Sequence, residues 1–229
     1  MTVVVIPWRP QESRLAALDA VTAWYRDNLP DADLRLIDCH DEIFNLAQAR
    51  NLGVASVDDP DAVVVIGDAD TLPQRDALLA AIAGAADSGR VHLPYTEYRW
   101  LGASGTAQFT AGTPLEQTEF ELVRGACSGV YVTTPRTWAS HGGQDERFRG
   151  WGFEDAAWYL AHETILGEPP RREEGLVFAL HHVAQAREGE QYDANAALME
   201  RYRSVAGDPS GMLALVTGSA ANARLLPGR

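Results

Sequence analysis

Lysine is absent: all 19 basic residues of the 229-residue chain are arginines. Chemistry that needs a side-chain primary amine is thereby excluded, including Schiff-base and pyridoxal-phosphate catalysis and phosphate-binding loops that close on glycine-lysine. Cysteine is scarce. Cys39 and Cys127 each stand alone in apolar surroundings and read as reduced core thiols, with no disulfide framework or cysteine-based zinc site. Long apolar runs are missing too. Val3 to Ile6 follows Met1 without a basic segment and is far too short to cross a bilayer, so no membrane span is expected and a cytoplasmic location is. Positive charge is in deficit: 32 acidic residues leave a formal net charge of -13. That balance disfavours broad attraction to nucleic acid, although a small basic groove stays open. Arginine in place of lysine, with abundant alanine, fits a GC-rich genome, so the expected source is bacterial, or a phage in a bacterial host.

What is present suffices for a full core. A hydrophobic fraction of 46% over this length, without a low-complexity linker, predicts a single domain over 1–229. Its first half alternates β-branched runs with helical periodicity, the pattern of an α/β sheet built from crossover units. Strands are expected at Val3 to Ile6, Leu34 to Ile37 and Ala62 to Ile66, and helices at about Gln11 to Asp27, Ile43 to Val57 and Leu78 to Ala86. In the first helix Leu15, Leu18, Val21 and Tyr25 share the buried face. Pro94 to Arg124 loosens into small polar residues and reads as a long functional loop or lid. Gly125 to Gly129 is a small-residue turn that lets backbone approach a ligand before the strand from Val130 to Val132. Ala156 to Leu166 is helical, Leu176 to Val183 a late strand, and the segments after Asp193 and Asp208 helical.

The polar residues fall at strand ends. The early strands run out at Pro7-Trp8-Arg9, at Asp38 and at Gly67-Asp68-Ala69-Asp70. Open α/β sheets bind ligands at that carboxyl edge. Two carboxylates beside a diphosphate suit a hard cation such as Mg2+ or Mn2+, and Mn2+ also accepts imidazole. His181 and His182 are candidates for the imidazole; adjacent strand side chains point oppositely, so one of the two should reach the metal. Glu154-Asp155 stands at a helix N-terminus behind a loop bearing Trp151, where the helix dipole favours an ionised base. Purely structural readings stay open: capping for Asp38 and Asp68, dipole stabilisation for Glu154-Asp155, and a packed anchor for Trp151.

Taken in order, IPWRP, EIFNLAQARNLGV, VVVIGDADTLP, ACSGVYVTTPRTW, GGQDERFRGWGFED and FALHH resemble the motif series of GT-A glycosyltransferases over residues 3 to 183. The similarity is greatest to β-1,4-galactosyltransferases and to the chondroitin-polymerase and polypeptide N-acetylgalactosaminyltransferase catalytic domains. It implies a GT-A α/β fold with a central mixed sheet flanked by helices, a nucleotide-binding half over 1–90, an acceptor and catalytic half over 91–183, and a helical tail over 184–229. By position it implies that Pro7, Trp8, Arg9, Asp38, Phe44, Arg50, Asn51 and Gly129 surround the uridine and diphosphate. Asp68 would meet ribose or metal, Asp70 would ligate Mn2+ (or Mg2+), and His181 would complete the protein ligands. Asp155 matches the family's catalytic base, with Glu154 and Trp151 lining the acceptor and donor sugars. The chain departs from the galactosyltransferase pattern at Leu46 (arginine there), Phe153 (glycine) and Phe178 (a methionine ligand).

The implied activity is metal-dependent transfer of a hexose or N-acetylhexosamine from a UDP-sugar to the hydroxyl of a glycan, protein or small molecule, with inversion; nucleic acid is the less favoured acceptor. Two alternatives remain. A sugar nucleotidyltransferase would want a glycine-rich first loop and usually a lysine, and this chain has neither there. A non-catalytic carbohydrate-binding protein would have little need of the intact acidic residues.

Overall fold

Valine and isoleucine fill the strand at the centre of the molecule because both of its faces are covered. In the computed structural model, which describes residues 1–150, 152–183 and 188–218, β1 (Thr2–Pro7) is buried from Val3 to Pro7. It pairs in parallel with β2 (Asp33–Ile37) on one side and β3 (Val63–Gly67) on the other. Continuous apolar runs are what a doubly covered parallel strand requires. The crossovers are α1 (Leu15–Asn28) and α2 (Leu46–Ala55). Ala17, Leu18, Val21 and Tyr25 form the buried face of α1, while Leu15, expected on that face, is 47% exposed because a 3-10 turn over Glu12–Arg14 precedes the helix. Helix α2 starts at Leu46 rather than Ile43, since the Asn45 side chain accepts the Gln48 N–H as its N-cap.

After β3 the chain makes the short β4 (Thr71–Pro73) and then α3 (Arg75–Ser88), which Gly89 ends at φ 64°. The segment expected to be an irregular lid carries regular structure: β6 (Glu97–Trp100), α4 (Gly102–Thr110) and β7 (Glu121–Leu122), following β5 (His92–Leu93). Helix propensity concealed α4, whose GASGT opening is poor helix-forming sequence. Packing compensates. A Cβ at Gly105 would lie 2.0 Å from the Glu119 carbonyl oxygen, so the helix seats against the following loop only because glycine is there.

Next come β8 (Val130–Thr133), α5 (Pro135–Ser140), α6 (Glu154–Leu166), β9 (Arg171–Arg172) and β10 (Leu176–Ala179). The main sheet runs β2-β1-β3-β8-β5-β9 and is mixed, with β8 antiparallel to β3 and β5. A second sheet runs β4-β10-β6-β7. Strand β10 stops at Ala179, short of the expected Val183, and Leu180 instead donates its N–H to the Asp70 carbonyl at 2.8 Å. The tail forms α7 (Glu190–Ser204) and α8 (Pro209–Thr217), which pack with α6 around Phe148, Ala157, Ala161, Met199, Tyr202, Met212 and Val216. This second core stands beside the larger one on the main sheet. Among the described residues no helix is long and apolar enough to cross a membrane.

Candidate functional site

Parallel pairing of β2, β1 and β3 brings their carboxyl ends to one edge. There Arg9 donates Nε–H to Asp38 at 2.9 Å and its terminal nitrogens to the carbonyls of Cys39, Asp41 and Glu42. Its guanidinium also lies 5.7 Å from the centre of the Phe44 ring. Arg9 thus shapes the loop from Asp38 to Asn45, and in return holds the Asp38 carboxyl below the usual carboxylate range. Pro7 ends β1, and Trp8 continues the pairing by donating its N–H to the Ile37 carbonyl.

The two aspartates after β3 diverge. Asp68 is fixed by its own backbone: its N–H donates to the Gly129 carbonyl at 2.8 Å, and its carbonyl accepts from the Thr71 N–H at 3.2 Å. Gly129 sits at φ 90°, where a Cβ would come within 3.0 Å of the Tyr98 ring. Its backbone therefore approaches the Asp68 loop closely. The Asp68 side chain turns inward and accepts from Arg50 Nη2 at 2.7 Å. The Asp70 side chain turns to the other side, 2.9 Å from His182 Nε2 and 4.0 Å from Arg14 Nη1.

The imidazole that the structure brings to Asp70 is therefore His182, where the family pattern implied His181. His181 is exposed beside Trp100, with ring centres 6.2 Å apart, and its backbone N–H donates to Thr106. Early termination of β10 sets this arrangement. Asp70 Oδ2 and His182 Nε2 are 2.9 Å apart, in direct polar contact, with Arg14 Nη2 3.1 Å from the same Nε2. Two atoms bound at right angles about 2.1 Å from one ion would stand at a similar separation of about 3 Å, so the pair has the spacing to share a cation in place of that contact. A carboxylate with an imidazole is also a donor set that suits Mn2+. Among the described residues no cluster of three or more histidine, cysteine, aspartate or glutamate side chains forms a metal cage. Phe178, at the position of the family's methionine ligand, is buried in the main core.

The second acidic pair opens α6. Phe153, the residue before it, takes the left-handed conformation at φ 75°, where the family pattern has glycine. Glu154 is buried and its Oε2 accepts the Gly152 N–H at 3.0 Å. Burial, followed by repulsion from Asp155, pushes its carboxyl up to about 7. Asp155 accepts from Arg50 Nη1 at 2.6 Å and from the Tyr131 hydroxyl, both on Oδ1. Arg50 is wholly enclosed and so bridges Asp68 to Asp155. Burial raises Asp68 to about 6 in spite of that cation.

Arg50 and Asn51 were implied as neighbours of the nucleotide, but they lie beneath the site, 0% and 2% exposed. Asn51 spends its amide on Gln144 and Glu146 and its oxygen on Trp138 and Gln144. Trp151 falls outside the described residues. Sequence reasoning missed Arg14, Tyr131 and Gln144, and left His182 as the second choice. Tyr131 had a legible signal in its place on the strand beside β3; Arg14 and Gln144 had none.

No family model matches the chain, and no curated protein matches it in sequence. Solved structures do match in fold. A Drosophila β1,4-galactosyltransferase 7 mutant, in complex with manganese, UDP-Gal and xylobiose, superposes at a TM-score of 0.52 with 14% identity over 84% of this chain and 78% of that one. The catalytic domain of the Drosophila enzyme with xylobiose gives 0.54 and 15%, covering 85% of this chain and 79% of that one. GalNAc-T7 with UDP, GalNAc and Mn2+ gives 0.61 and 10%, covering 94% of this chain but 54% of that one. With its mixed central sheet flanked by helices, the chain has the fold of the GT-A glycosyltransferases.

Proposed function

We propose that the protein is a metal-dependent glycosyltransferase that moves a hexose or N-acetylhexosamine from a UDP-linked donor to an acceptor hydroxyl, with inversion at the anomeric carbon. The observation that carries this reading is that Asp70, paired with His182, lies two residues beyond Asp68, and that the buried Arg50 joins Asp68 to Asp155. A donor half and an acceptor half thereby form one site.

In this reading Pro7, Trp8, Arg9, Asp38 and Phe44 frame the uridine, and Asp68 fixes the floor below the ribose. Asp70 and His182 would hold Mn2+, which would supply positive charge to the diphosphate of the donor. Gly129 lets backbone come close to the donor, and Trp151 and Glu154 line the sugars. Asp155 removes the proton of the acceptor hydroxyl while its oxygen bonds to the anomeric carbon and the bond to the diphosphate oxygen breaks. Glu154, with a carboxyl at about 7, offers a hydrogen-bond donor or acceptor to the acceptor sugar near neutral pH. Glycans, proteins and small molecules are the acceptor classes.

Incubating the protein with a panel of UDP-sugars and Mn2+ and following UDP release tests this reading. Asp70→Ala is expected to abolish the Mn2+-dependent rise in melting temperature that UDP gives the wild type. Retention of that rise would remove Asp70 from the metal site. Asp155→Asn is expected to keep the rise and lose about 100-fold or more in turnover. A product whose anomeric configuration by NMR equals the donor's would refute inversion.

A further inference from the structure

Asp155 is held by one oxygen only. Arg50 Nη1 at 2.6 Å, the Tyr131 hydroxyl, and Gln144 Nε2 at 3.4 Å all converge on Oδ1. Among the described residues no hydrogen bond reaches Oδ2, and the side chain is 21% exposed. The converging groups are themselves fixed. Arg50 is 0% exposed, is pinned by Asp68 and by Gln144 Oε1 at 2.9 Å, and stands 4.9 Å over the Tyr131 ring. Tyr131 is buried between Trp138 and Trp158, with ring centres 6.4 and 4.6 Å away.

Resting on the transferase reading, we propose that Arg50, with Tyr131, is the positioning residue of the base: it commits Asp155 Oδ1 to the protein and leaves Oδ2 to face the acceptor hydroxyl. A carboxylate gripped on one oxygen by donors from α2 and β8 has lost the freedom to rotate away from its substrate. Because Arg50 also binds Asp68, and β8 pairs with β3, the strand that Asp68 follows, the base is held in register with the donor floor. The groups facing the carboxyl are few. Arg50 is the cation, Asp68 and Glu154 are the acids, and burial keeps Tyr95, Tyr98, Tyr131 and Cys127 neutral, pushing the thiol up to about 12. Arg50 presents no guanidinium nitrogen to a diphosphate at the surface: Nη1 and Nη2 are engaged, and Nε, although it makes no hydrogen bond among the described residues, is buried with the rest of the enclosed side chain.

The test compares full-length wild type with Tyr131→Phe, which removes one donor to Oδ1 and no charge, and Arg50→Lys, which keeps the charge but loses the fork that spans two carboxylates. With a UDP-sugar and Mn2+, kcat is expected to fall roughly ten- to hundredfold in each variant. In Tyr131→Phe, which leaves the Arg50–Asp68 pair in place, a donor KM within about twofold of wild type would accompany that fall. A merely structural role would not produce that split of kcat from KM. Should Arg50→Lys fail to fold, Tyr131→Phe decides. An unchanged kcat in Tyr131→Phe, beside loss of turnover in Asp155→Asn, overturns the positioning role and leaves the transferase reading standing. If the wild type turns over no UDP-sugar, the transferase reading falls and the positioning role falls with it.

Discussion

Glu154 and Asp155 are neighbours in the chain with opposite surroundings. Asp155 meets a guanidinium and a hydroxyl, whereas Glu154 is enclosed with one backbone N–H for company. With its folded pKa near 7, above the ordinary 4.5, Glu154 binds a proton more readily in the folded chain than in the unfolded one. Stability from this group is therefore full below the ordinary value and lost as pH rises toward 7. Asp68, raised to about 6, contributes with the same sign over a lower window. Glu154→Gln removes the cost of ionisation while the amide oxygen still accepts the Gly152 N–H. It is expected to stabilise the protein near pH 8 by about 1–3 kcal/mol, or several degrees of melting temperature, with the difference closing near pH 5. Calorimetry at both pH values checks this, and a gap independent of pH would show that ionisation is not its origin.

Elements place these residues, and the turn at Gly129 shows how narrowly. Its carbonyl receives both the Asp68 N–H and the Thr71 hydroxyl, so the turn before β8 positions the turn after β3. Gly129→Ala would put a Cβ into the Tyr98 ring at a φ that L-residues avoid, at a cost of about 1–3 kcal/mol. We expect a lower melting temperature together with weaker Mn2+-dependent UDP binding, read by thermal shift; intact binding would show that Asp68 keeps its place without this carbonyl.

Such dependence explains what could be read in advance. The strands β1 and β3 and the acidic ends behind them were legible because a continuous apolar run followed by aspartate is a local signal. So was α6, from its periodicity. Helix α4 was not, because its stability comes from glycine seated on the Glu119 carbonyl and not from propensity. Nor was the choice of His182. It follows from β10 giving up its pairing where Leu180 finds the Asp70 carbonyl, a contact between residues far apart in the chain. The burial of Arg50 was hidden for the same reason, since its two carboxylates come from different halves of the sequence.

At the scale of the molecule the tail is tied to the segment that precedes α6. Helices α7 and α8 cover the face of α6 that carries Ala157 and Ala161, and three side-chain contacts run from them to the segment before α6. Asn195 on α7 receives the Arg149 N–H and donates to the carbonyls of Arg149 and Gly152; Tyr202 donates to Asp145 at 2.7 Å; and Arg147 reaches the Leu215 carbonyl at 2.6 Å. The segment so held is the one that leads through Trp151 to Glu154 and Asp155. A tail that only filled surface would have no reason to spend a buried asparagine on the carbonyls of Arg149 and Gly152. Asn195→Ala leaves those carbonyls unpaired and should cost about 1–3 kcal/mol. Its more telling effect is on where stability is lost. Hydrogen exchange should quicken over 145–153 while β1, β3 and α2 stay protected, and turnover should fall while Mn2+-dependent UDP binding through Asp70 holds. Exchange that quickens evenly across the protein would mean that α7 supports the whole fold and not the loop in particular.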